Sequence, residues 1–394
     1  MQTTSQLYIG IDVHKKSWSV NLRTDLFDHK TFSMRADSDE LLRYVDKHFP
    51  GYQVKCCYEA SCCGYSIWRE LSKAGWQVMV VNVPDVPVIN KQQQHKSDKV
   101  DCRHLCKQLQ VGQLRGIYIP DEKQEQLRSL FRQRNNLTKA LRRIKCHIKG
   151  ELMYYGIKLP EHYDNNNWSK GMLGWMEALE WKYETGRASL QSKLRHLHFV
   201  YYDWLKVSNE LRSYARREYK TDYYLLRTVP GIGPLTAIGI LAELGDIRRF
   251  RKLDQLCSYI GLIPSIYSSG EKLTTRGMTP RSKYLLRSYL IEAAWTALRT
   301  DMALQEYYRR HIGKPSNKII VKVARKLVSR IWHIIKNTVS YQCEVKNTKD
   351  LTMLYSTQKQ KGDCKTSDAA IQSRPENLLQ SAPVKHAAPF LIKP

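Results

Sequence analysis

Four carboxylates carry the chemistry this sequence is equipped for. Asp12 ends the apolar run Tyr8-Ile9-Gly10-Ile11, and Glu59 ends Val54-Lys55-Cys56-Cys57-Tyr58, so two short buried strands would each deliver an acid to a tip. Asp98 and Asp101 stand three apart in Lys96-Ser97-Asp98-Lys99-Val100-Asp101-Cys102-Arg103-His104-Leu105-Cys106, and so share one face of a helix. Four carboxylates brought together repel one another unless a cation joins them, and hard oxygen ligands select Mg²⁺ or Mn²⁺. A two-metal site acting on a phosphodiester is the natural use of such a set. Taken singly, each acid has a plainer reading. Asp12 opens a turn through its own side chain, and Asp98 and Asp101 are neutralised on a solvated face by Lys96, Lys99 and Arg103.

The elements that must position these acids follow the pattern strand, strand, strand, helix, strand, helix, strand, helix. Trp18-Ser19-Val20-Asn21-Leu22 alternates as a partner to the first strand, Thr31 to Met34 reads as a third strand, and Ser38 to Val45 as a capped helix. After Glu59, Tyr65 to Lys73 has helical spacing, Gly75 closes it, and Trp76 to Val81 returns as a strand. Strands alternating with helices predict an α/β domain with a mostly parallel sheet.

Composition limits the partners. Among 394 residues, 64 Lys and Arg against 37 Asp and Glu leave a net charge of +27, an excess that calls for a polyanion. Nucleic acid is the first expectation; an anionic membrane surface competes, but the sequence has no run of eighteen apolar residues and no signal peptide at its start. A cytoplasmic protein is expected. Ten cysteines suit free thiols, because Cys56-Cys57 and Cys62-Cys63 lack the spacing of structural zinc sites.

Beyond Pro120 the periodicity changes. Leu127, Leu130, Leu137, Leu141, Ile144 and Ile148 form a seam of three and four spacing interrupted at Arg134; Leu190, Leu194, Leu197, Tyr201, Trp204, Leu211 and Ala215 form a second, with Ser208 its polar member. These helices are expected to pair with each other or across a dimer. Arg128, Arg132, Arg142, Arg143 and Lys145 flank the first seam, where they either meet phosphate or form a solvated face. Val229-Pro230-Gly231-Ile232-Gly233 reads as a hairpin between helices, either a phosphate-holding turn whose glycine N–H groups face outward or a plain turn. Ser265-Ile266-Tyr267-Ser268-Ser269-Gly270-Glu271-Lys272 reads as an irregular polar loop, followed by the cations Lys272, Arg276 and Arg281. Tyr284 to Leu298 and Lys318 to Arg330 read as helices, the second presenting Lys322, Arg325 and Lys326 on a polar face. Past Ser340 the composition is that of a disordered tail.

The ordered set Ile9-Gly10-Ile11-Asp12, Tyr58-Glu59-Ala60, Lys96 to Asp101, Val229 to Gly233 and Tyr259 to Pro264 followed by Ser268-Ser269-Gly270 resembles the DEDD transposases of the insertion-sequence-110 family, relatives of the Piv invertases. The resemblance implies an RNase H-like, RuvC-type α/β domain over 1–119, a helical coiled-coil region over 120–220, and a mostly α transposase domain with a helix-hairpin-helix-like element over 221–340, before the tail at 341–394. It implies that Asp12, Glu59, Asp98 and Asp101 hold Mg²⁺ or Mn²⁺ and that Ser269, with Ser268 the adjacent candidate, attacks the DNA backbone to form a covalent phosphoserine link. It further implies donor and target DNA as substrates, a structured guide RNA, and a dimer or tetramer. Two other readings remain: a RuvC-like structure-specific nuclease using the acids alone, and a non-catalytic basic DNA-binding protein.

Overall fold

The computed structural model describes residues 5–87, 98–165, 167–269, 272–279 and 282–342; at Lys99, 265–269 and 272–276 the description is of backbone only. Lys96, Ser97, Gly270, Glu271, Arg281 and the 343–394 portion of the expected tail lie outside it. The chain divides into two units, with the break between Asp121 and Glu122.

Strand β1 (Gln6–Val13) is the spine of the first unit, because its side chains are buried on both faces. Leu7, Ile9, Ile11 and Val13 enter one core, whereas Tyr8 enters another with Cys57, Leu105 and Cys106. A strand apolar on both faces belongs in the middle of a covered sheet. Its neighbours are β2 (Ser17–Thr24), antiparallel through a tight turn, and β4 (Gln53–Glu59), parallel to it. The outer strands are β3 (Asp28–Arg35) and β5 (Gln77–Val81), giving the order β3-β2-β1-β4-β5. Helices α1 (Ser38–His48) and α2 (Ser66–Lys73) put Leu41, Val45, Ile67 and Leu71 against the first face. The cap of α1 is Asp37, one residue before the Ser38 that opens the expected helix, and its Oδ1 accepts from the N–H groups of Asp39 and Glu40 at 2.8 and 3.2 Å.

Helix α3 (Asp98–Gln110) lies on the second face, and Gly10 is what lets it lie there. A Cβ on Gly10 would sit 2.3 Å from the Cys102 carbonyl oxygen and 2.5 Å from the Cys106 nitrogen. Backbone therefore rests on backbone at this crossing, which fixes the first turn of α3 relative to the tip of β1.

The second unit is mostly helical: α4 (Glu122–Tyr154), α5 (Lys170–Glu177), α6 (Glu184–Glu218), α7 (Lys220–Thr228), α8 (Pro234–Leu244), α9 (Leu253–Ile260), the hairpin β6 (Pro264–Ser269) and β7 (Lys272–Met278), α10 (Tyr284–Ala297), α11 (Met302–Arg309) and α12 (Ser316–Asn337). The two seams pair with each other: α4 packs on α6, burying Leu127, Leu137, Ile144 and Ile148 with Leu190, Leu194, Leu197, Leu211 and Ala215. Each such side chain withdrawn from water contributes roughly 2 kcal/mol. The two polar interruptions meet, Arg134 Nε donating to Ser208 Oγ at 3.2 Å and Arg134 Nη1 to the Tyr289 hydroxyl at 2.9 Å. Both helices share one core with α8, α10 and α12.

Three expectations are changed or narrowed here. The sheet expected to be mostly parallel is mixed, since β1 pairs with β2 and β2 with β3 in antiparallel fashion and parallel pairing is confined to β1–β4 and β4–β5. The stretch from Ser265 to Lys272 is part of a hairpin and not an irregular loop, with Ser268 opposite Leu273 and Ser269 opposite Lys272. Ile266, Tyr267, Thr274 and Thr275 are strand formers on either side of a two-residue Gly-Glu connection, a hairpin pattern that outweighs the polarity of the serines. Gly231, expected in either an outward-facing or a plain turn, has φ +81° and is pressed on α10: a Cβ would lie 2.2 Å from the Ala293 carbonyl oxygen. Close helix approach accounts for that glycine.

Candidate metal and nucleic-acid site

Register and alternation bring Asp12 and Glu59 to the same end and the same face of the sheet. Pairing of β1 with parallel β4 runs to Ile11 opposite Tyr58, so the next residues, Asp12 and Glu59, fall at the same end of adjacent strands. Asp12 lies on the face of Tyr8 and Gly10, and Glu59 on the face of Cys57, both of which are covered by α3. The first turn of α3 supplies Asp98 and Asp101.

The tightest grouping among the described residues consists of Asp12, His14 and Asp98, whose ligand atoms all lie within 4.8 Å of one another. His14 Nε2 is 3.4 Å from Asp12 Oδ2 and 3.4 Å from Asp98 Oδ2. Burial, above all, pushes the Asp12 carboxyl above its ordinary range, and the charges of Asp98 and Asp101 push the same way against the opposing influence of His14. A site that disfavours its own negative charge is one a divalent cation would relieve; the two carboxylates suit Mg²⁺ or Mn²⁺, whereas the imidazole nitrogen suits the transition metal of the two better than Mg²⁺. Glu59 and Asp101 stand outside the trio. His14 was not among the expected ligands; the signal in the sequence is Asp12-Val13-His14, where residues two apart at the end of a strand share a face.

Ser269 is the last residue of β6 in the second unit, with Lys272 and Arg276 on β7. The other expected phosphate-binding residues fall into four groups. Arg142 and Arg143 are exposed on α4, and Lys322 is half-buried on α12. Other cations are engaged within the unit: Arg325 donates to Asp254 Oδ1 at 3.0 Å, Lys326 lies 5.4 Å over the Tyr307 ring, and Lys145 lies 5.2 Å over that of Trp168. Gly233 caps the start of α8. Arg128 is a correction, because it is buried and donates to the carbonyl oxygens of Ala242 and Glu243. Together with Arg132, whose Nε and Nη2 reach Glu243 Oε1 and Oε2 at 2.8 and 3.0 Å, it neutralises a carboxylate only 2% exposed. A buried Glu243 without those partners would be prohibitively costly, which is why cations on this stretch of α4 turn inward. A basic depression passed over in the sequence lies on α6, lined by Asn209, Arg212, Ser213, Arg216 and Arg217.

A strand tip whose Asp12, His14 and Asp98 could hold a cation, inside so basic a chain, is consistent with an enzyme that works on nucleic acid. The DEDD transposase model of the IS110 group matches residues 9–156, and the model described as the transposase IS116/IS110/IS902 family matches 223–309. The transposase for insertion sequence element IS1111A of Coxiella burnetii is 24% identical over 306 residues, covering 74% of this chain and 80% of its own. That for element IS1533 of Leptospira borgpetersenii is 23% identical over 344 residues, covering 84% and 96%. The pilin gene-inverting protein of Moraxella bovis is 31% identical over 117 residues, 28% of this chain and 36% of its own. The chain belongs to the insertion-sequence-110 family of transposases, enzymes that recombine DNA. No helix among the described residues is long and apolar enough to cross a membrane.

Proposed function

We propose that this transposase cuts and rejoins donor and target DNA through a covalent link on Ser269, assisted by a divalent cation held in the first unit, which we read as an RNase H-like domain of RuvC type. The observation that carries the reading is the convergence of Asp12, His14 and Asp98. Asp12 and Asp98 would hold Mg²⁺ or Mn²⁺ with His14, and Glu59 and Asp101 would complete the surrounding charge. The cation, when bound, offers the Lewis acidity that a phosphodiester transfer needs. Ser269 Oγ gives up its proton and bonds to phosphorus while the bond from phosphorus to a deoxyribose oxygen breaks, and that oxygen takes a proton to become a free hydroxyl. One ester replaces another, so the reverse attack rejoins strands without an external energy source. Lys272, Arg276 and Arg281 supply fixed positive charge for the phosphoryl oxygens. The surplus of +27 supports a second polyanion, a structured guide RNA that would bring sequence choice through base pairing. A dimer or tetramer acting on cytoplasmic, nucleoid-associated DNA completes this reading.

The test is strand exchange on a plasmid carrying the element's ends, with binding measured in parallel. Ser269→Ala is expected to bind DNA as the parent does and to form no covalent adduct, whereas Asp98→Asn is expected to lose divalent-dependent activity. A Ser269→Ala protein that still cuts would favour a nuclease working by the acids alone.

A further inference from the structure

A cavity of about 310 Å³ opens where α4, α5 and α6 meet. Apart from Lys145, it uses none of the residues expected to bind metal or nucleic acid. Trp168, Tyr201 and Tyr202 give it aromatic walls, Leu173 an apolar one, and Lys170 and Lys145, the latter over the Trp168 ring, two cations that outnumber the single carboxylate of Glu177. Its volume is at the small end for ligand pockets, enough for a ring system but not for a helix or a folded peptide.

Two details point to a ligand. His198 lines the cavity, and its Nε2 is buried without a hydrogen-bond partner among the described residues. Buried polar atoms are rarely left unpaired, so a turn of the ring that brings this nitrogen to a group entering the cavity would remove a real penalty. Gly174 on α5 also lines it, and a Cβ built there meets nothing within 4 Å. A glycine in mid-helix is costly relative to alanine, and here no packing requires it. What its absent side chain leaves is open space beside the cavity.

Aromatic faces, a cation and an unsatisfied imidazole nitrogen are what binders of single strands bring to an unstacked base. We propose that this cavity receives one unpaired base of a single-stranded nucleic acid, stacked on Trp168, Tyr201 or Tyr202, bonded at its edge by His198 and followed by a phosphate near Lys145. A base held in a duplex cannot enter, since its faces are covered by its neighbours. The inference concerns binding alone and is independent of the serine and of the metal. The strand is RNA or DNA, and the two arms of the test tell which.

The experiment uses the full chain with EDTA present, and RNA and DNA single strands that each carry one fluorescent adenine analogue. Stacking on the pocket is expected to quench the analogue on at least one of the two strands, and the matching duplex is expected to show no such quench. Gly174→Leu, which fills the open space and favours the helix, is expected to weaken binding of that strand about tenfold, the scale of one base stack, with thermal stability equal to or above the parent's. Trp168→Leu is expected to lose most of the quench. Equal binding by Gly174→Leu and parent, or equal quenching by duplex and single strand, would overturn the proposal.

Discussion

His14 Nε2 and Asp98 Oδ2 lie 3.4 Å apart although they come from the turn after β1 and the first turn of α3, and His14 is as close to Asp12. An imidazole between two carboxylates gives the acidic tip a third candidate ligand. His14→Ala is therefore expected to lower Mn²⁺ affinity about 10- to 100-fold, the range seen when groups supporting a metal site are removed, without loss of fold. Mn²⁺ titration followed by paramagnetic resonance checks it; unchanged affinity would remove His14 from the site.

Gly10→Ala tests how that geometry is held. With a Cβ 2.3 Å from the Cys102 carbonyl oxygen, α3 must lift from β1. A cost of about 1–3 kcal/mol in chemical denaturation is expected, together with loss of divalent binding. The two readouts should fall together, because one displacement moves Asp98 and Asp101 away from Asp12.

The inward and outward cations of α4 should separate cleanly. Glu243→Gln leaves buried Arg128 without its counter-charge and is expected to destabilise the protein by about 3 kcal/mol. Arg142→Ala with Arg143→Ala, both exposed, should leave the melting temperature unchanged. If these two meet phosphate, the slope of log K against log salt becomes shallower by about 0.9 for each phosphate no longer neutralised.

Acid should loosen the second unit through Asp301. Burial is the largest influence on this carboxyl and pushes it upward, but hydrogen bonds from the Tyr341 hydroxyl and the Leu304 N–H, with the charge of Arg330, outweigh it and hold it below the ordinary range. A carboxyl depressed by folding stabilises above its unfolded value, about 3.9, and that contribution is lost as pH falls through the lower folded value. Asp301→Asn, which strands Arg330, is expected to destabilise at neutral pH by on the order of 3 kcal/mol and to flatten the acid limb of the stability curve. Denaturation midpoints across that pH range decide it.

Much of the sheet was legible because its signals are local. Apolar runs ending in Asp12 and Glu59, and the seams along α4 and α6, follow from the periods of strand and helix. That Arg134 answers Ser208, and Arg128 and Arg132 answer Glu243, was not legible, since these partners are separated by 74 and more than 100 residues and periodicity carries no record of pairing. His14 was hidden for a different reason. Its residue type after a strand is common in turns, and only the packing of α3 at Gly10 makes it a neighbour of Asp98. The serine hairpin was obscured by the polar residues at its tip, although its flanking Ile, Tyr and Thr already favour strands.

The most direct test is to trap the protein on a DNA substrate designed to stall rejoining, then digest it and map the residue that retains the nucleotide. An adduct on Ser269 is expected, forming with Mg²⁺ present and lost in Asp12→Asn. An adduct on any other residue, or strand cleavage with no adduct at all, would contradict a serine nucleophile assisted by a metal at the strand tip.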